Sequence, residues 1–92
     1  MALEQWVEVT NKCGLHARVA TELVKTASRF RSNITVFREG YDQGVDGKSI
    51  LALMTIGAES GTRLLLRIEG DDADGALRAL VDRFDRAFDE ER

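Results

Sequence analysis

LEQWVEVTNKCGLHARVATELVKTASRF, residues 3–30, changes its period in the middle. Up to Thr10 the side chains alternate. Leu3, Gln5, Val7 and Val9 point one way, and Glu4, Trp6, Glu8 and Thr10 the other, which is the period of two of a half-buried strand. From Ala17 to Phe30 the apolar positions are Ala17, Ala20, Leu23, Val24, Ala27 and Phe30. That spacing is helical, with Arg18, Glu22, Lys25 and Arg29 turned outward. Arg18 and Glu22 stand four apart, a spacing that predicts a weak surface pair. Asn11 to Leu15, with Gly14 among them, is the loop between strand and helix. This junction holds the only histidine and the only cysteine of the chain, His16 and Cys13.

Outward from that stretch the pattern continues. Asn33 to Arg38 reads as a second strand, with Ile34 and Val36 on one face. EGYDQG is turn material, and Gln43 to Asp46 reads as a short returning strand. Ser49 to Ile56 predicts a brief helix stopped by Gly57. Arg63 to Glu69 alternates again with Leu64, Leu66 and Ile68 inward, and Gly70 breaks it. Asp71 or Asp72 is predicted to cap a last helix. Its wide apolar stripe is Ala73, Ala76, Leu77, Leu80, Val81, Phe84, Ala87 and Phe88. The closing DEER is expected to fray. The order is strand, helix, strand, strand, helix, strand, helix. Short alternating strands need one covered and one wet face. The expected fold is therefore α+β: an antiparallel or mixed sheet with all helices on one side.

Composition narrows the function. Ninety-two residues suit one small domain, spanning residues 1–92, with a modest core. No run approaches the roughly 18 apolar residues of a membrane span, and MALEQWVEV lacks the basic start and apolar stretch of a signal peptide. A lone cysteine forms no internal disulfide, which fits a reducing, cytoplasmic setting. The net charge of −3 and the absence of an aromatic-rich basic strand argue against nucleic-acid binding. Cys13 and His16 are too few for a zinc site, which uses about four ligands, so no metal is expected, and no cofactor. The chain has no proline, so its turns fall to Gly, Asn, Asp and Ser.

His16 directly precedes the first helical residue, where backbone N–H groups lack intrahelical acceptors and carry partial positive charge. That field disfavours a second positive charge and so favours a neutral ring, whose unprotonated nitrogen is a nucleophile. A phosphoryl group on that nitrogen would bring its negative charge to the waiting N–H groups. Arg18 offers a two-pronged contact to phosphate oxygens, and Gly14 lets the backbone bend beside the ring. Stabilisation of an anion at a helix end, about 0.3 to 2 kcal/mol, favours reversible exchange over trapping. No G-x-x-x-x-G-K-[ST] loop is present, so the phosphoryl group must come from another protein or a small donor. Taken alone, a histidine at a helix start is more commonly a local hydrogen-bonding residue.

GLHAR opening a helix, followed by GKSILALMTIGAESGTRLLLRIEGDDADGAL, resembles the HPr family, the histidine-containing phosphocarriers of the bacterial phosphoenolpyruvate:sugar phosphotransferase system. Two motifs agree, in order, over nearly the whole chain. The resemblance implies an open-faced β-sandwich with order βαββαβα: a four-stranded antiparallel sheet with three helices on one face. It implies that His16 takes a phosphoryl group at Nδ1 from phospho-enzyme I and passes it to an enzyme II A component, that Arg18 assists, and that the protein is a carrier rather than an enzyme. A monomer is expected. The family commonly has proline after the motif's arginine, where this chain has Val19. Valine leaves the first turn looser and adds an N–H donor.

Ser49 has two readings: helix cap, or, as the resemblance implies, a regulatory phosphorylation site for an HPr kinase/phosphorylase. Ile50 to Thr55 is too apolar to bury on one side. Ile50 and Leu53 are assigned to the core, and Leu51 and Met54 to an exposed docking spot near His16. Gly14, Ala17, Thr21 and Lys48 join it as candidate phosphate or partner contacts. Trp6, Phe37 and Leu65 are assigned to the uncovered sheet face. Two alternatives share the fold: a regulatory member of a nitrogen-related phosphorelay, and a Ser49-dependent partner of a transcription factor.

Overall fold

The structure is a computed structural model describing residues 2–91. Its elements are β1 (Ala2–Glu8), α1 (Ala17–Ala27), β2 (Asn33–Arg38), β3 (Val45–Asp46), α2 (Ile50–Met54), β4 (Arg63–Glu69), α3 (Ala73–Asp85) and a 3-10 turn, Ala87–Asp89. The strands form one antiparallel sheet in the order β1-β4-β2-β3. Register follows the apolar pattern: Ile68 lies opposite Leu3 and Ile34, Leu66 opposite Val36, and Leu64 opposite Val7. A slip of one residue would carry these side chains to the wet face. They join Leu23, Leu53, Leu80 and Phe84 in a single core. The expected open-faced arrangement, with a four-stranded antiparallel sheet and three helices, is the arrangement found.

The opposite face is open. Trp6, Leu65 and Phe37 lie in register across three strands, as assigned from sequence. Arg63 stacks on Trp6 at 4.7 Å and Arg67 on Phe37 at 4.8 Å, so the guanidinium planes cover part of each ring.

Boundaries differ from expectation where polar groups intervene. Helix α1 stops at Ala27 instead of Phe30; Arg29 and Phe30 make tight i→i−3 bonds to Thr26 and Ala27. Strand β3 is two residues, Val45 and Asp46. Helix α2 has five residues; Gly57 follows it with φ +64. A helix this short presents one inward position. Leu53 takes it at 0% exposure, while Ile50, assigned to the core, is 38% exposed. Ile56, beyond the helix, packs on the core instead.

Asp72 occupies the N-cap position of α3, but its side chain does not cap. Its carboxylate accepts hydrogen bonds from the backbone N–H groups of Arg31 and Ser32, at 2.8 and 2.9 Å, and from the Ser32 hydroxyl. The Ser32 hydroxyl, followed by the Arg31 N–H, draws the Asp72 carboxyl below its ordinary range. The residue predicted to start α3 thus fastens the α1–β2 loop to it.

Candidate functional site

Two loops position the end of β1 against α1. Val9 exchanges backbone bonds with Gly61 and Thr62, at 2.7 and 2.9 Å, and Leu15 donates to the Ala58 carbonyl at 2.9 Å. Gly14 has φ +72, and a Cβ there would stand 2.6 Å from the Ala58 oxygen. Only glycine fits both the left-handed backbone and that approach. Asn11, fully buried, braces the turn from inside: its Nδ2 donates to the Gly14 carbonyl at 2.6 Å.

This places His16 as the N-cap residue of α1, with extended backbone (φ −85, ψ 178) and no capping bond from its side chain. Its carbonyl accepts from Ala20 N–H at 2.9 Å. Among the described residues, nothing accepts from the N–H groups of Ala17, Arg18 and Val19. These are the open donors that a helix start offers an anion. Val19 buries its side chain at 1% exposure, while its N–H, which a proline would lack, belongs to this set. The His16 side chain is 35% exposed.

The C-terminal stretch meets this junction. Glu90 sets its carboxylate against His16, with Oε1 and Oε2 at 2.9 and 3.0 Å from Nε2. Arg18 donates to Oε2, and Asn11 Nδ2 donates to Oε1 at 3.2 Å. Arg18 is 67% exposed, while the Glu90 side chain is only 8% exposed. Burial works against the Glu90 charge. The hydrogen bond and charge of His16, then Arg18 and Asn11, outweigh it and hold the carboxyl below its ordinary range. Expected to fray, this segment is built in instead. Ala87, Phe88 and Asp89 run in succession through left-handed backbone, with φ 51, 54 and 59, at a cost of roughly 1–2 kcal/mol per residue. Offsetting this, Phe88 is 5% exposed and meets Phe84 edge-on at 4.9 Å. Burying such a ring contributes about 1.5–3 kcal/mol. Lys12 N–H also donates to the Glu91 carbonyl at 2.6 Å. Arg92 lies outside the described residues.

Glu90 and Asn11 are the residues that sequence reasoning missed at this site. Glu90 lies 74 positions from His16, and nothing local announces the left-handed turn that delivers it. The predicted Arg18–Glu22 pair is replaced by Arg18–Glu90. Cys13 is exposed and lines the same shallow cleft with Lys12, His16 and Arg18. Among the described residues no group of His, Cys, Asp and Glu could hold a metal.

Helix α2 packs on α1. Leu51 is 81% exposed and Met54 43%, as assigned, with Ile50 beside them. The Thr21 hydroxyl donates to the Ala17 carbonyl at 2.8 Å. Ser49 is the N-cap of α2, its oxygen accepting from Ala52 N–H at 3.1 Å, which bears out the capping role. Lys48 departs from expectation. Its ammonium donates to the Phe30 carbonyl at 2.7 Å, just past the far end of α1, whose 11 residues span about 16 Å. The partial negative charge of a helix C-terminus attracts it there.

Comparison with known proteins agrees with this geometry. A family profile described as "PTS HPr component phosphorylation site" matches residues 3–86. Phosphocarrier protein HPr of Xylella fastidiosa is 43% identical over 89 residues, covering 97% of this chain and 98% of that protein. The crystal structure of an HPr from Thermoanaerobacter tengcongensis superposes with a TM-score of 0.90 at 43% identity, covering 98% of this chain and 99% of that one. A domain-swapped dimer of Crh, the Bacillus subtilis catabolite repression protein, is 34% identical with a TM-score of 0.69, covering 98% of each chain.

Proposed function

The chain belongs to the HPr family, whose members are carriers rather than enzymes, and from that premise we propose that it is a phosphocarrier of the phosphotransferase system with His16 as its phosphoryl acceptor. The observation that carries this reading is His16 at the start of α1 beside the Arg18 guanidinium and three N–H groups that have no acceptor among the described residues. A phosphoryl group on the ring brings oxygens to donors that need acceptors. Phospho-enzyme I is the donor in this reading, and an enzyme II A component the acceptor. Each docks on the apolar patch of Leu51 and Met54, framed by Ala17, Arg18 and Thr21. The carrier acts as a monomer, a single domain over residues 1–92, in the cytoplasm. No described helix is long and apolar enough to cross a membrane.

Ser49 carries a second, regulatory reading. It is partly exposed at the head of α2, two residues before Leu51, and a phosphate there would set negative charge beside the docking face. Likeness to a protein named for catabolite repression supports this, with an HPr kinase/phosphorylase as the modifying enzyme.

The test is a mass measurement after incubation with phosphoenolpyruvate and enzyme I. One acid-labile phosphate, absent from His16→Ala, is the expected result; no gain in the wild type overturns the carrier reading. A gain only with ATP and the kinase, lost in Ser49→Ala, would leave a regulator.

A further inference from the structure

The contact between Glu90 and His16 assigns a role to a residue that no motif contains. An ionised carboxylate accepts hydrogen bonds and donates none. Both Glu90 oxygens lie within 3.0 Å of His16 Nε2, so a neutral ring in this contact carries its proton on Nε2. Nδ1 is then unprotonated, and no described residue hydrogen-bonds to it. Glu90 is held in place on three sides, by His16, Arg18 and Asn11, and by the backbone turn behind it.

We propose that Glu90 is the positioning residue of the phosphoryl site, keeping the ring proton on Nε2 so that Nδ1 reacts, and facing the positive charge that the ring then gains. This rests on the phosphocarrier reading. In the step, the Nδ1 lone pair forms the N–P bond while the donor's bond to phosphorus breaks and its electron pair stays with the donor. No proton has to leave Nδ1. The Nε2 proton remains in its hydrogen bond to Glu90, and the ring becomes an imidazolium beside that carboxylate. The negative charge of the phosphoryl oxygens falls toward Arg18 and the α1 amides. On hand-off the N–P electron pair returns to Nδ1 and the ring is neutral again. Glu90 touches the ring at the nitrogen that does not react, and so acts through His16.

The test has two arms. In the first, the full chain labelled with ¹⁵N-histidine is observed by NMR at a pH where the ring is neutral. The expected wild-type spectrum has a protonated-type Nε2 and an unprotonated-type Nδ1, and in Glu90→Ala both signals move toward the average of the two tautomers. In the second, single-turnover phosphoryl transfer from phospho-enzyme I is expected to slow roughly tenfold in Glu90→Ala, with no change in the enzyme I concentration at half-maximal rate. Glu90→Gln keeps an oxygen able to accept from Nε2–H but not the charge, and is expected to slow transfer, by less than Glu90→Ala. Mixed tautomers in the wild type, unchanged ring signals in Glu90→Ala, or a Glu90→Gln rate equal to wild type would each overturn the proposal. Failure of the wild type to take up phosphate would overturn the carrier reading itself, while the NMR arm still reports whether Glu90 sets the tautomer.

Discussion

At the scale of single residues, the site depends on side chains without chemistry of their own. Asn11 is the clearest. It has no exposed surface, yet its amide bonds both the Gly14 carbonyl before His16 and the Glu90 carboxylate beyond it. Removing it takes one of two donors from the Gly14 carbonyl, which keeps the His16 N–H, and one donor from Glu90 Oε1, which keeps His16 Nε2, and so forfeits a neutral and a charge-assisted hydrogen bond. Asn11→Ala is expected to destabilise the fold by about 1–3 kcal/mol, read as a lower urea midpoint with an unchanged m-value. In the sequence Asn11 is a loop residue and nothing more, because a polar loop residue gives no local sign of being buried. His16 and Gly14 were legible: each needs only its neighbours along the chain to show what it can do.

Among the elements, the two whose sequence says least about their surroundings are the 3-10 turn and helix α2. The 3-10 turn, read as the end of α3 followed by a frayed tail, is held by one aromatic anchor. Phe88→Ala is expected to cost about 3 kcal/mol, visible in chemical denaturation. Amide exchange near Asp89 to Glu91 is expected to rise with it. Helix α2 is too short to hide its apolar residues, so Ile50, Leu51 and Met54 remain in solvent. Leu51→Asp is expected to leave the melting temperature nearly unchanged, since Leu51 is 81% exposed, while raising several-fold the enzyme I concentration needed for half-maximal phosphoryl transfer. An unaltered concentration dependence would remove Leu51 from the docking surface.

For the whole molecule, two carboxylates tie distant segments together, and both titrate below the ordinary range. Glu90 joins the C-terminus to α1, and Asp72 joins the start of α3 to the α1–β2 loop. Each folded pKa is depressed, so each contributes stability that is fully present above the unfolded value, about 4, and is lost as pH falls through the folded value. Melting temperature is expected to hold from neutral pH to about 5 and then to fall through the acid range. Glu90→Gln is expected to flatten part of that fall, as is Asp72→Asn. A melting profile unaffected by either substitution would show that the acid loss arises elsewhere.

Sequence by itself determined the elements, their order, the buried face of the three longer strands and the histidine at the helix start. All of these follow from periods of two and 3.6 and from the chemistry of a helix start, which are local properties. The tertiary structure alone decided that Glu90 reaches His16, that Asn11 is buried between them, that Lys48 turns to the far end of α1, and that Asp72 fastens a loop instead of capping a helix. The physical reason is common to all four. A charged or amide side chain pairs with whatever complementary group the fold brings within about 3 Å, and chain separation carries no record of which group that will be.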